Sequence, residues 1–133
     1  MDGLKRALEL CRELEAPVII SSSGVREADV KADEYRAAVD VARQIGDIAK
    51  SFRVTIAVEC IKSSTFLGCL TSVLELCRKA NHEFVRPMVD TFHLYAGIGK
   101  LEELDALRQR ELLHLHINDI DPGVPRELLT DAD

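Results

Sequence analysis

Val54-Thr55-Ile56-Ala57-Val58-Glu59 and Leu113-His114-Leu115-His116-Ile117-Asn118 are the stretches whose reading decides the fold. Side chains of an extended strand alternate between two faces. In the first stretch Val54, Ile56 and Val58 share one face, and Thr55, Ala57 and Glu59 the other. In the second, Leu113, Leu115 and Ile117 oppose His114, His116 and Asn118. An open sheet covered by helices on both sides needs apolar residues on both faces. One greasy face backed by small or polar groups instead fits a barrel strand whose inner layer opens into a site.

Working outward, the neighbouring segments alternate between helix and strand. Leu4, Ala7, Leu8, Cys11 and Leu14 recur at helical spacing, and Ala16-Pro17 ends that stripe. Val18-Ile19-Ile20 reads as a short buried strand closed by Ser21-Ser22-Ser23-Gly24. Ala38, Val41, Ala42, Ile45, Ile48 and Ala49 mark a helix over residues 34–50, before a second strand over 54–61. A third helix carries Leu67, Leu70, Val73, Leu74 and Cys77. The third strand covers 84–89 and contains Pro87, a defect that a central strand tolerates poorly. Leu101, Leu104 and Leu107 predict a shorter fourth helix, and residues 112–117 a fourth strand. From Asp121 onward, Pro122, Gly123 and Pro125 predict loop. No composition break interrupts this order, so residues 1–133 are expected to form one segment of about four parallel strands alternating with four helices.

Composition bounds the function. The 133 residues carry 17 Lys+Arg against 23 Asp+Glu, a formal charge of −6, with 47% hydrophobic residues. That is the balance of a soluble globular protein, and its sign argues against a nucleic-acid binder. No apolar run approaches the roughly 18 residues of a membrane span, and the N-terminus shows no secretory pattern, so a cytoplasmic setting is expected. Cys11, Cys60, Cys69 and Cys77 form no close zinc-type pair and read as inert thiols. No dinucleotide or P-loop fingerprint occurs. The segments 21–24 and 97–100 offer backbone N–H groups to an anion, but ordinary turns are the preferred reading.

The chemistry lies at strand ends. Glu59 ends the second predicted strand, Asp90 follows the third, and His116 lies near the end of the fourth, at separations of 31 and 26 residues. Each interval is about one βα repeat, which brings the three side chains to one rim on successive strands. Taken singly, each has an ordinary explanation: a solvated glutamate, an aspartate capping the following turn, a structural histidine. Together, two carboxylates and an imidazole make a site for Mn²⁺, Mg²⁺, Co²⁺ or Zn²⁺. His93, three residues after Asp90, is positioned to reach inward. Asn118 and Asp119 are candidates to orient the imidazole or to bind substrate. His114 faces as His116 does, one layer deeper, and suits packing or support. His82 reads as surface.

The segments Ala57-Val58-Glu59, Met88-Val89-Asp90-Thr91-Phe92-His93-Leu94-Tyr95 and His114-Leu115-His116-Ile117-Asn118-Asp119 resemble the xylose isomerase-like barrel superfamily, and within it the sugar phosphate isomerases and epimerases. Residues 125–133 also resemble a stretch common after this histidine. The resemblance implies a partial (β/α)8 barrel and a divalent metal on Glu59, Asp90 and His116. It also implies a substrate contact at His93 and Glu59 as one of two bases in a proton shift beside a carbonyl. It implies a sugar or sugar phosphate as the small-molecule partner. A full barrel takes roughly 250 residues, so early βα units and the last strand, with its second glutamate, are expected to lie outside these 133 residues. Either a longer protein or a truncated product fits, and association through open sheet edges is expected for the chain alone. Three other readings remain open: a metal-dependent dehydratase of the inosose type, an abasic-site endonuclease disfavoured by the acidic charge, and a non-catalytic fragment retaining a metal site.

Overall fold

The computed structural model describes residues 1–24, 31–120 and 123–130. Along the chain run α1 (Asp2–Glu13), β1 (Val18–Ser22), α2 (Ala32–Phe52), β2 (Thr55–Glu59), α3 (Leu70–Ala80), β3 (Val85–Asp90), α4 (Thr91–Ala96) and β4 (His114–His116). Two 3-10 turns, Leu101–Ala106 and Arg126–Leu128, flank β4. The four strands are parallel and lie in the order β1-β2-β3-β4, a half-barrel. Asp121, Pro122 and residues 131–133, part of the tail expected to be loop, lie outside the described residues.

The alternation of faces explains how the sheet is covered. Val54, Ile56 and Val58 join Leu8, Val39, Ala49, Val73, Leu76 and Val85 in the main buried cluster, beneath α1, α2 and α3. A second cluster seats Val89 against Leu70, Leu74 and Leu94. Full burial of one such aliphatic side chain contributes roughly 1.5–3 kcal/mol, so these clusters set the sheet's outer face. Arg43 ties α2 to α3 by donating to the carbonyls of Lys79 (2.7 Å) and Ala80 (3.2 Å).

Several expectations need correction. The helix placed on Leu101, Leu104 and Leu107 is a 3-10 turn, and a short α-helix, α4, follows β3 directly instead. The apolar face at β4 is poorly covered: Leu115 is 45% exposed and Ile117, just past the strand, 80%. Its parity is correct, because Leu115 pairs with Val89 of the buried face; only the covering layer differs. Pro87 does sit in a central strand. Pairing of β3 with β4 begins one residue later, at Met88↔His114, and the Pro87 carbonyl accepts from Leu113 N–H at 2.9 Å. The proline therefore falls where that ladder starts, not within it. His82 is more than surface: its Nδ1 accepts from Phe84 N–H (3.1 Å), its Nε2 lies 3.2 Å from Asp47, and its ring rests on Gly46 of α2. All four cysteines are free thiols. No helix among the described residues is long and apolar enough to cross a membrane.

Candidate metal centre

Strand register assembles the site. Asp90 and His116 are direct partners across β3 and β4, while Ala57 pairs with Arg86 across β2 and β3. Glu59, two residues beyond Ala57, therefore comes level with Met88 and reaches the same rim from one step below Asp90. One ligand atom each from Glu59, Asp90 and His116 lies within 4.8 Å of the other two. His116 Nδ1 is 3.5 Å from Glu59 Oε1 and 3.3 Å from Asp90 Oδ2.

Asp90 satisfies both readings of its sequence position. Oδ1 accepts from Phe92 N–H (2.8 Å) and His93 N–H (3.1 Å), capping α4, and Oδ2 faces His116 and Glu59. The cap locks the carboxylate's rotation, which leaves the second oxygen aimed at the rim. Asn118 Nδ2 donates to that second oxygen at 2.6 Å, so this amide orients Asp90 and not the imidazole. Its own backbone is held by Thr91, whose hydroxyl accepts from Asn118 N–H at 2.8 Å.

The charges are poorly balanced without a cation. Burial raises the Glu59 pKa above the ordinary carboxylate range, and the neighbouring Asp90 raises it further; His93 and His116 pull the other way. Two converging carboxylates beside an imidazole fit a divalent cation by donor type and by approach.

The remaining predicted residues divide. His93 Nδ1 accepts from Lys62 N–H at 3.3 Å, which in the neutral ring places the proton on Nε2. His114 is exposed, its ring edge-on to His116 with centroids 5.0 Å apart. Asp119 accepts from Ile120 N–H at 2.9 Å and makes no bond to His116 among the described residues. In the segments considered for anions, one side chain and two backbone N–H groups already have partners within the chain. Ser23 Oγ lies 2.5 Å from Ser64 Oγ; Gly97 N–H bonds to His93 O, and Lys100 N–H to Glu103. Lys62 has no sequence signature, because its part is played by a backbone N–H on a loop. Its Nζ also donates to the carbonyls of Glu127 and Leu129, drawing the buried Leu129 onto Phe92 and Ala96.

Residues 1–129 match the model of the xylose isomerase-like TIM barrel family, and the chain belongs to that family. Among individual proteins, it is similar to an inosose isomerase of Bacillus subtilis (strain 168), 26% identical over 97% of this chain and 47% of the relative. An inosose isomerase of Bacillus licheniformis is 24% identical over 100% of this chain and 48% of its own length. The chain thus spans about half the length of the curated relatives it matches. The crystal structure of the IolI protein with a bound zinc atom superposes with a TM-score of 0.87 at 26% identity, covering 99% of this chain and 48% of that one. An L-ribulose 3-epimerase shares the fold at a TM-score of 0.76 and 18% identity, over 89% of this chain and 42% of its own.

Proposed function

We propose that residues 1–133 form one segment of a divalent-metal-dependent isomerase or epimerase acting on a small sugar, sugar phosphate or cyclic polyol ketone. The convergence of Glu59, Asp90 and His116 within 4.8 Å carries this reading. The inosose isomerase relatives and the zinc atom of the IolI structure support it. A cation held by these three residues, Zn²⁺ or Mn²⁺ by donor type, would act as a Lewis acid toward a carbonyl and its adjacent hydroxyl.

The chain's own residues supply the rest. Glu59 accepts the proton from the carbon beside the carbonyl, from the rim it shares with Asp90 and His116. His93 presents Nε2–H as a donor to a substrate oxygen, with its ring held by Lys62 N–H. His114 supports the His116 ring, and Asn118 holds Asp90. Asp119 is assigned to substrate contact, since its carboxylate serves no ligand of the triad. A second base on a later strand, as the family resemblance implies, would return the proton from the opposite face. A reducing, cytoplasmic setting suits four free thiols.

Calorimetric titration of Zn²⁺ and Mn²⁺ into the protein and its Asp90→Ala and His116→Ala variants tests the site. Loss of binding in both variants is expected, and unchanged affinity removes the proposal. Incorporation of solvent deuterium beside the carbonyl of an inosose or ketose, followed by NMR, tests the chemistry.

A further inference from the structure

A second concave site lies at the opposite end of the strands from the triad. Its cavity, about 660 Å³, is lined by the first residues of β3, Val85 to Pro87, whereas Asp90 is the last. It also takes in the end of α3 and the segment leading into β4. Four arginines, Arg78, Arg86 and the exposed Arg108 and Arg110, line it together with two glutamates, Glu83 and Glu111. Two positive charges are left uncancelled in a chain whose formal total is −6.

The four arginines have different duties. Arg78 makes a bidentate pair with Glu111 (both contacts 2.7 Å) and donates to the Ala106 carbonyl at 2.6 Å. Arg86 donates to the carbonyls of Arg110 and Glu111. Both therefore build the wall. The guanidinium groups of Arg108 and Arg110 make no hydrogen bond or ion pair among the described residues. Their backbone is nevertheless fixed: Arg108 N–H donates to Glu111 at 2.9 Å, and Arg110 holds a left-handed φ of 63°. A non-glycine residue in that region is strained, and here the Arg86 bond to its carbonyl maintains it.

We infer that this cavity binds a small phosphorylated compound. Its phosphoryl oxygens would be gripped by Arg108 and Arg110, with Arg78 and Arg86 as a pre-organised positive floor. Guanidinium groups match tetrahedral oxyanions in charge and fork geometry, and a dianion would cancel the two surplus charges. The volume lies within the range of small-molecule sites. This inference is independent of the triad and of any metal held there.

The test is calorimetric titration of sodium pyrophosphate into metal-free protein at low ionic strength, with sulfate as comparison. Saturable one-to-one binding is expected, undiminished in His116→Ala. It should weaken about tenfold in Arg108→Gln and again in Arg110→Gln, the size expected for losing one charge-assisted contact. Circular dichroism melts of both variants separate lost binding from lost folding. Absence of saturable binding, or wild-type affinity in both folded variants, overturns the inference. So does a single-stranded oligonucleotide that binds more tightly per phosphate than pyrophosphate, since that would make the cavity a polymer-binding surface.

Discussion

Asn118 Nδ2 donates to Asp90 Oδ2 at 2.6 Å, and the same oxygen lies 3.3 Å from His116 Nδ1. One amide thus fixes the carboxylate that aligns with the imidazole, two residues beyond the end of the neighbouring strand. Partners that orient metal ligands typically contribute a factor of 10–100 in metal affinity. Asn118→Ala is therefore expected to weaken Zn²⁺ binding by about that factor, with the fold retained. Titration calorimetry beside a thermal melt checks both halves of the statement.

Glu59 links metal binding to pH. Its pKa in the folded chain is raised by burial and by Asp90. Between the unfolded and folded values the native state holds the extra proton, so ionising Glu59 opposes folding as pH rises through that window. Above that window the metal-free protein carries the penalty of two converging carboxylates. Glu59→Gln should accordingly melt higher than the parent without metal and lose most of the stabilisation that Zn²⁺ confers. In the parent, apparent Zn²⁺ affinity should climb as pH rises above the ordinary carboxylate range, because metal and proton compete for one oxygen. A melt series with and without Zn²⁺ across pH reads all three effects.

Gly46 is required by a close approach and not by its backbone angle. A Cβ added there would collide with the His82 ring, which is held on both nitrogens by Phe84 N–H and Asp47. Gly46→Ala should destabilise the chain by about 1–3 kcal/mol, the usual range for overpacking, despite alanine's better helix propensity. Chemical denaturation measures it. Restoring stability with His82→Ala in the same chain would trace the loss to this contact.

The sheet's outer strands, β1 and β4, predict association. β4 is three residues long, and Leu115 within it and Ile117 just beyond it are exposed to solvent. Exposed strand edges with apolar side chains pair with other chains. Sedimentation of the 133-residue chain is expected to show an associated species that Ile117→Lys shifts toward monomer. A compact monomer with a cooperative melt would count against it.

Much of the architecture was legible because parallel strands advertise themselves by parity. Val54, Ile56 and Val58 alternate with Thr55, Ala57 and Glu59, and it is the first set that joins the cluster beneath the helices, although Ala57 is buried too. The rim could be read for the same reason: repeat-length spacing places strand-end residues on one edge. The helix after Asp90 was hidden because Thr-Phe-His-Leu-Tyr-Ala is too short for a periodic stripe, and its nucleus is the Asp90 side chain itself. The packing of His82 escapes a sequence reading because its partners on α2, Gly46 and Asp47, are brought to it only by the fold.

The order of elements, the face of each strand and the approximate meeting of Glu59, Asp90 and His116 follow from the sequence, since local periodicity and chain spacing suffice to determine them. Distances could come only from the folded chain. Whether Asn118 serves Asp90 or His116, where the His93 proton resides, and that Arg108 and Arg110 share a cavity with Arg78 and Arg86 depend on register and on loop backbone atoms. Those contacts join residues that no sequence period relates, so three-dimensional packing alone decides them.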